Sequence, residues 1–197
     1  MIDISESKIY CILGKSGSGK DTIFKELLKK TDLKPVVTYT TRPIRSNEKT
    51  GVDYHFINDE QLRRLDESGK IIEVRYYNTV HGVWAYATID DGQIDLRSQD
   101  KYLIITTPEA YKKIRDYFGE DKVVPIYIVV EDGVRLERAL KREREQEKPG
   151  FAEMCRRFLA DCEDFHSDRL EAMGIKRYYE NKELSECLRE IIDGERL

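Results

Sequence analysis

An apolar run that stops at a glycine, followed by two more glycines and a lysine, leaves a chain few folding options. Residues 8–22 read KIYCILGKSGSGKDT. Ile9, Tyr10, Cys11, Ile12 and Leu13 have the length and β-leaning composition of a buried strand. Gly14, Gly17 and Gly19 let the backbone turn tightly and leave no Cβ in the way of a ligand. Residues 22–30 read as a helix. A strand, a GxxxxGK loop and a helix together make a phosphate cradle. Loop N–H groups and the helix N-terminus point at the anion, and the lysine reaches the β- and γ-phosphates. A plain glycine-rich strand-to-helix turn is the competing reading; the presence of both flanks favours phosphate. The candidate ATP-binding run is therefore Gly14, Lys15, Ser16, Gly17, Ser18, Gly19, Lys20, Asp21 and Thr22.

One position departs from that pattern. The residue after the lysine is normally Ser or Thr, whose hydroxyl ligates Mg²⁺, and here it is Asp21. Thr22 does not replace it, because the next helical residue points about 100° away. A carboxylate is a good hard-oxygen ligand, directly or through a metal-bound water, so Asp21 is the candidate Mg²⁺ residue. The competing role for Asp21 is to complement the positive end of the helix.

The chain has 197 residues, enough for one compact α/β unit with small insertions. A formal charge of −4 and the absence of a long basic run argue against nucleic-acid binding. Cys11, Cys155, Cys162 and Cys187 form no CxxC pair, so neither a zinc site nor a disulfide framework is indicated, and reduced thiols fit the cytoplasm. No signal peptide and no membrane-length apolar stretch is evident.

Strand-like runs fall at 8–13, 36–39, 53–57, 71–77, 83–89, 102–106, 123–130 and 176–179, with a turn at 79–82. Helical patterns fall at about 108–118, 133–146, 152–173 and 183–192, with another from Asn58, a probable N-cap, to Gly69. Strands and helices alternate at both ends, while the middle is richer in short strands. That pattern predicts a parallel-sheet core with two insertions.

The middle insertion opens with TYTTRPIRSNEKTGVDYHF, residues 38–56. Arg42 and Arg45 offer two forks suited to clamping a phosphate, and Tyr54 adds a phenol. Two solvated loop arginines are the ordinary reading of an isolated RxxR. The whole segment, however, resembles the guanylate kinase family. The loop GKSGSGK, the TTRxxR segment, Glu48 and GVDYHF match that family in order and spacing, and a weaker resemblance continues to the C-terminus.

The resemblance implies a P-loop NMP-kinase fold: an α/β domain with a five-stranded parallel core sheet flanked by helices. It implies one domain over 1–197, with core segments at about 1–35, 89–134 and 165–197, an NMP-binding insertion at 36–88 and a helical lid at 135–164. It places Thr38, Arg42, Arg45 and Tyr54 on the phosphate of GMP, Glu73 on the guanine N1–H and N2 amino group, and Tyr86 and Thr88 on the phosphate and base. It assigns lid roles to Arg157 and to one of Arg142 and Arg144, because the family's R-L-x-x-R-G pattern is broken here, and puts Asn181 on the adenine side. Where the family carries a D-x-D pair, this chain has Ile105-Thr106-Thr107, which leaves the strictness of guanine selection open.

The implied activity is transfer of the γ-phosphoryl of MgATP to GMP or dGMP, with Mg²⁺ as cofactor and ATP as co-substrate, in a monomer or homodimer. Lys20, Arg42, Arg142, Arg144 and Arg157 would carry the catalysis. One alternative is a related phosphotransferase acting on a ribose bisphosphate or another nucleotide. Another is a guanylate-kinase-like binding module without catalysis; such modules generally lose the glycine-rich loop and lysine that this chain keeps.

Overall fold

The computed structural model describes residues 6–45, 48–79 and 82–197. Its central strand is β1, Lys8–Leu13. On one face Ile9, Cys11 and Leu13 pack with Tyr102, Ile104, Tyr111, Ile114 and Phe165. On the other, Tyr10 and Ile12 pack with Ile23, Leu27, Ile126, Cys187 and Ile191. A strand apolar on both faces has to lie inside a sheet covered on both sides, which is why 8–13 reads as a continuous hydrophobic run.

That sheet is five-stranded and parallel. Its strands, with β1, are β2 (Lys34–Pro35), β7 (Lys101–Ile105), β8 (Val123–Val129) and β9 (Tyr178–Glu180), in the order β2-β7-β1-β8-β9. Helices α1 (Lys20–Lys30) and α7 (Leu184–Glu195) cover the Tyr10/Ile12 face, and α3 (Pro108–Phe118) covers the other. Thr107 caps α3 by accepting from the Ala110 amide, and Pro108 occupies its first turn.

A second, four-stranded sheet has the order β4-β3-β6-β5, built from β3 (Tyr39–Thr40), β4 (His55–Phe56), β5 (Ile71–Thr79) and β6 (Gly82–Ile89). One face buries Val74, Ala85, Ala87 and Ile89 against Leu62 of α2, Asp59–Glu67. Asn58 and Gln61 form a reciprocal capping box at the start of that helix. The opposite face carries Glu73, Arg75 and Tyr77 from β5 and Tyr86 and Thr88 from β6, in register as Glu73↔Thr88 and Arg75↔Tyr86.

Three segments differ from the sequence reading. In place of the single strand expected at 36–39 there are two short strands in different sheets, 34–35 and 39–40, with 36–38 in neither. Pro35 ends β2, and the Gln93 side chain then binds both the N–H and the C=O of Val37, so the backbone leaves the first sheet before β3 begins. The long helix expected at 152–173 is α5 (Phe151–Asp164) and α6 (Ser167–Ala172). Phe165 breaks it by turning inward to stack on Tyr127, with ring centroids 5.6 Å apart. The preceding helix, α4, is Asp132–Arg144, close to its expected bounds. Val80 and His81 of the expected turn, and Ser46 and Asn47 of the RxxR segment, lie outside the described residues.

Candidate active site

The loop from Gly14 to Gly19 links β1 to α1. Gly19 has φ +88°, and a Cβ there would lie 2.6 Å from Asn181 Nδ2, so both backbone shape and space demand glycine. Asn181, at the end of β9, is buried and donates from Nδ2 to the Ser18 carbonyl at 2.8 Å. It therefore braces the loop from below. Gly19 gives α1 no side-chain cap, so the first-turn amides remain available to an anion.

The Lys20 ammonium folds back over this cradle, donating to the carbonyls of Gly14 at 2.6 Å and Lys15 at 3.2 Å. Burial lowers its pKa, the charges of Arg135 and Arg142 push the same way, and those of Asp21 and Asp161 oppose them. Asp21 and Thr22 are exposed at the start of α1. The Asp21 charge acts on Lys20 and, across the site, on Tyr54. Among the described residues no three His, Cys, Asp or Glu side chains gather as a metal cage. One exposed carboxylate beside a phosphate cradle does suit Mg²⁺, which keeps several waters and is commonly held by one or two carboxylates plus substrate phosphates.

Helices α4 and α5 close over the loop. Arg135 is 1% exposed and donates from Nη1 to the Ser16 carbonyl at 2.9 Å and from Nη2 to Asp132 Oδ1 at 2.6 Å, with its guanidinium over the Phe158 ring. Asp161 accepts from the Ser16 amide at 2.6 Å. Arg138 reaches the Gly17 carbonyl at 3.4 Å. The charge of Arg142 is felt at Lys20, whereas Arg144 lines a shallow groove on α4 with Glu137, Leu140, Lys141 and Glu145. Arg156 and Arg157 both pair with Glu153, three and four residues on and so about one turn along α5, and pull its pKa down to about 2, Arg156 most strongly.

The other half of the site lies on the second sheet. Arg42 is 4% exposed and forks onto Glu48, Nη1 to Oε2 at 2.9 Å and Nη2 to Oε1 at 2.8 Å. Its Nε donates to the Tyr86 hydroxyl at 3.2 Å, and its guanidinium lies over the Tyr54 and Phe56 rings. The Arg42 fork holds Glu48 below the usual carboxylate range. Glu48 also accepts from the Arg45 amide at 2.9 Å, while the Arg45 residue is exposed. Tyr54 packs edge-on against Tyr86, and burial raises its pKa. Thr38 contributes its carbonyl to the His55 amide at 2.8 Å.

Deeper on that face, Glu73 is 2% exposed and accepts from Arg75 Nε at 2.9 Å, Arg75 Nη2 at 3.2 Å and Thr88 Oγ1 at 2.7 Å. Arg75 also donates to Thr107 Oγ1 at 3.1 Å. Arg75, Arg135 and Asp161 were not singled out by motif. Arg135 shares the face of α4 that carries Arg138 and Arg142, a spacing of three and seven residues that could have flagged it. Arg75 shares a strand face with Glu73 by its spacing of two.

A parallel sheet with a glycine-rich loop between its central strand and a helix, and an arginine–tyrosine cluster on an inserted sheet, defines a P-loop nucleoside monophosphate kinase fold. A family model described as guanylate kinase matches residues 6–167, and the chain belongs to that family. A guanylate kinase of Aliivibrio fischeri is 29% identical over 202 residues, covering 98% of this chain and 91% of that protein. One from Thermotoga maritima is 32% identical over 148 residues, covering 72% of this chain and 67% of that protein. The crystal structure of guanylate kinase from Anaplasma phagocytophilum shares the fold at a TM-score of 0.69 and 19% identity, over 98% of this chain and 86% of that one. Membership in this family makes the protein a phosphotransferase of the nucleoside monophosphate kinase class.

Proposed function

We propose that this protein transfers the γ-phosphoryl group of MgATP to GMP or dGMP, releasing ADP and the nucleoside diphosphate. The observation that carries this reading is the pairing of two anion sites. One is the amide cradle under the Lys20 ammonium; the other is the Arg42–Tyr54–Tyr86 cluster. In this reading 36–88 is the acceptor insertion, 135–164 the lid, and the remainder the core.

The acceptor oxygen needs no general base, because the second pKa of a phosphate monoester lies near 6. His55 is stacked on Tyr39 and His166 precedes α6, so neither is placed as one. An acceptor phosphate oxygen forms a bond to the γ-phosphorus as the bond to the β–γ bridging oxygen breaks, and ADP leaves with that electron pair. The difficulty is bringing two anions in line. Lys20 and the loop amides neutralise the donor phosphates. Arg42, Arg45 and Tyr54 hold the acceptor phosphate, with Glu48 fixing the orientation of Arg42. Arg142 or Arg144 on α4, with Arg157 on α5, would supply the lid charge. Asp21 would hold Mg²⁺, which when bound supplies charge neutralisation at the β- and γ-oxygens.

The test is ADP release in a coupled assay with GMP, dGMP, AMP, CMP, UMP and ribose phosphates as acceptors. Wild type is expected to respond to guanine nucleotides. Lys20→Ala is expected to lose at least about 100-fold in kcat, the scale of a lost electrostatic donor, with an unchanged melting temperature. Near-normal turnover in Lys20→Ala would refute the assignment.

A further inference from the structure

Guanine presents two adjacent donors, N1–H and an N2 hydrogen, and a carboxylate reads them only with a lone pair free on each oxygen. Glu73 does not have that pair to give. Its Oε1 already accepts from Thr88 Oγ1 at 2.7 Å and Arg75 Nη2 at 3.2 Å, which spends both acceptor positions. Its Oε2 accepts from Arg75 Nε at 2.9 Å, which leaves one. The Glu73 side chain is 0% exposed and that of Arg75 11% exposed, so the carboxylate is sealed off with three of its four acceptor positions filled, and the guanidinium is the member of the pair that reaches the surface. Separating it would strand a buried charge.

The groups next to the pair are donors. Arg75 Nη1 donates to Thr107 Oγ1 at 3.1 Å, and that oxygen also accepts from the Ala110 amide at 3.3 Å, so Thr107 has its hydroxyl proton left to offer. With three of its five N–H groups committed to Glu73 and Thr107, the Arg75 guanidinium retains two for a ligand.

We propose that Arg75 is the specificity-determining residue of the acceptor site: it takes Glu73 out of base recognition and offers a guanidinium donor to an exocyclic oxo group. The acceptor class is then the 6-oxopurine nucleotides, GMP and IMP alike, with no readout of the 2-amino group. The 6-amino group of AMP sets a donor against a donor and is rejected. This inference rests on the proposed phosphoryl transfer to a nucleoside monophosphate.

The test is kcat/KM for GMP, IMP and AMP with MgATP, in wild type and Arg75→Ala. A site built on the N2 hydrogen bond would reject IMP by about 10⁴-fold, as sites made to bind a polar group reject analogues that lack it. The expected wild-type result is GMP and IMP within about five-fold of each other and AMP at least about ten-fold worse, a difference near one hydrogen bond. Arg75→Ala frees Glu73 and is expected to raise the GMP:IMP ratio by at least ten-fold, the same scale. If Arg75→Ala does not fold, Arg75→Lys reads the same ratio, since a single ammonium cannot span both carboxylate oxygens. A wild type that prefers GMP to IMP by about 100-fold or more, AMP used as well as GMP, or a ratio unmoved by a folded Arg75 variant overturns the proposal. A wild type that transfers to no nucleoside monophosphate overturns the parent reading instead.

Discussion

Single residues at the loop show how local chemistry and distant packing combine. The three glycines and Lys20 are adjacent in the chain, so the cradle is legible in sequence. The brace beneath it is not: Asn181 lies 163 positions from Ser18, and only the sheet brings them together. Asn181→Ala leaves the buried Ser18 carbonyl without that donor and is expected to cost about 1–3 kcal/mol of unfolding free energy. It should also raise KM for ATP while leaving KM for the acceptor unchanged, because the deformed loop belongs to the donor side. Denaturant unfolding and two-substrate kinetics check this; an unmoved KM for ATP would contradict a bracing role. Arg75 was hidden for a similar reason. Its pairing with Glu73 follows from strand spacing, but Thr107 lies 32 positions away on another element. Motif matching alone therefore assigns Glu73 to the base without revealing its partner.

Elements were legible where periodicity suffices and misread where it does not. Strand 8–13 and helix 108–118 follow directly from hydrophobic pattern and capping chemistry. Pattern cannot say which sheet a strand joins, so one strand was read at 36–39 where two short strands, 34–35 and 39–40, lie in different sheets. Nor did any Gly or Pro announce the break between α5 and α6, which comes from burying Phe165. Along α5, Glu153 pairs with both Arg156 and Arg157. Its carboxyl, held at about 2 against an ordinary 4.5, makes a contribution to stability that is present above pH 4.5 and lost as pH falls through about 2. Carbon-detected NMR titration of Glu153 should give that low apparent pKa. On addition of ATP it should rise toward 4.5 as Arg157 turns to the phosphates. An unchanged pKa with saturating ATP would remove Arg157 from the lid role.

At the scale of the whole molecule, two sheets with different jobs share one chain. The parallel sheet is buried on both faces and supplies a rigid platform for the donor loop. The mixed sheet buries one face against α2 and keeps charged and phenolic groups on the other. Helices α4 and α5 stand over the loop, with Arg135, Arg138 and Asp161 touching its backbone. In the proposed function this arrangement gathers two phosphorylated compounds and lets one donate directly to the other. The most direct measurement follows ATP labelled with ³²P at the γ-position, incubated with enzyme, Mg²⁺ and GMP. The expected result is label in the β-phosphate of GDP, in step with ADP, and negligible free phosphate. Label released mainly as inorganic phosphate, at the same rate with or without GMP, would contradict it.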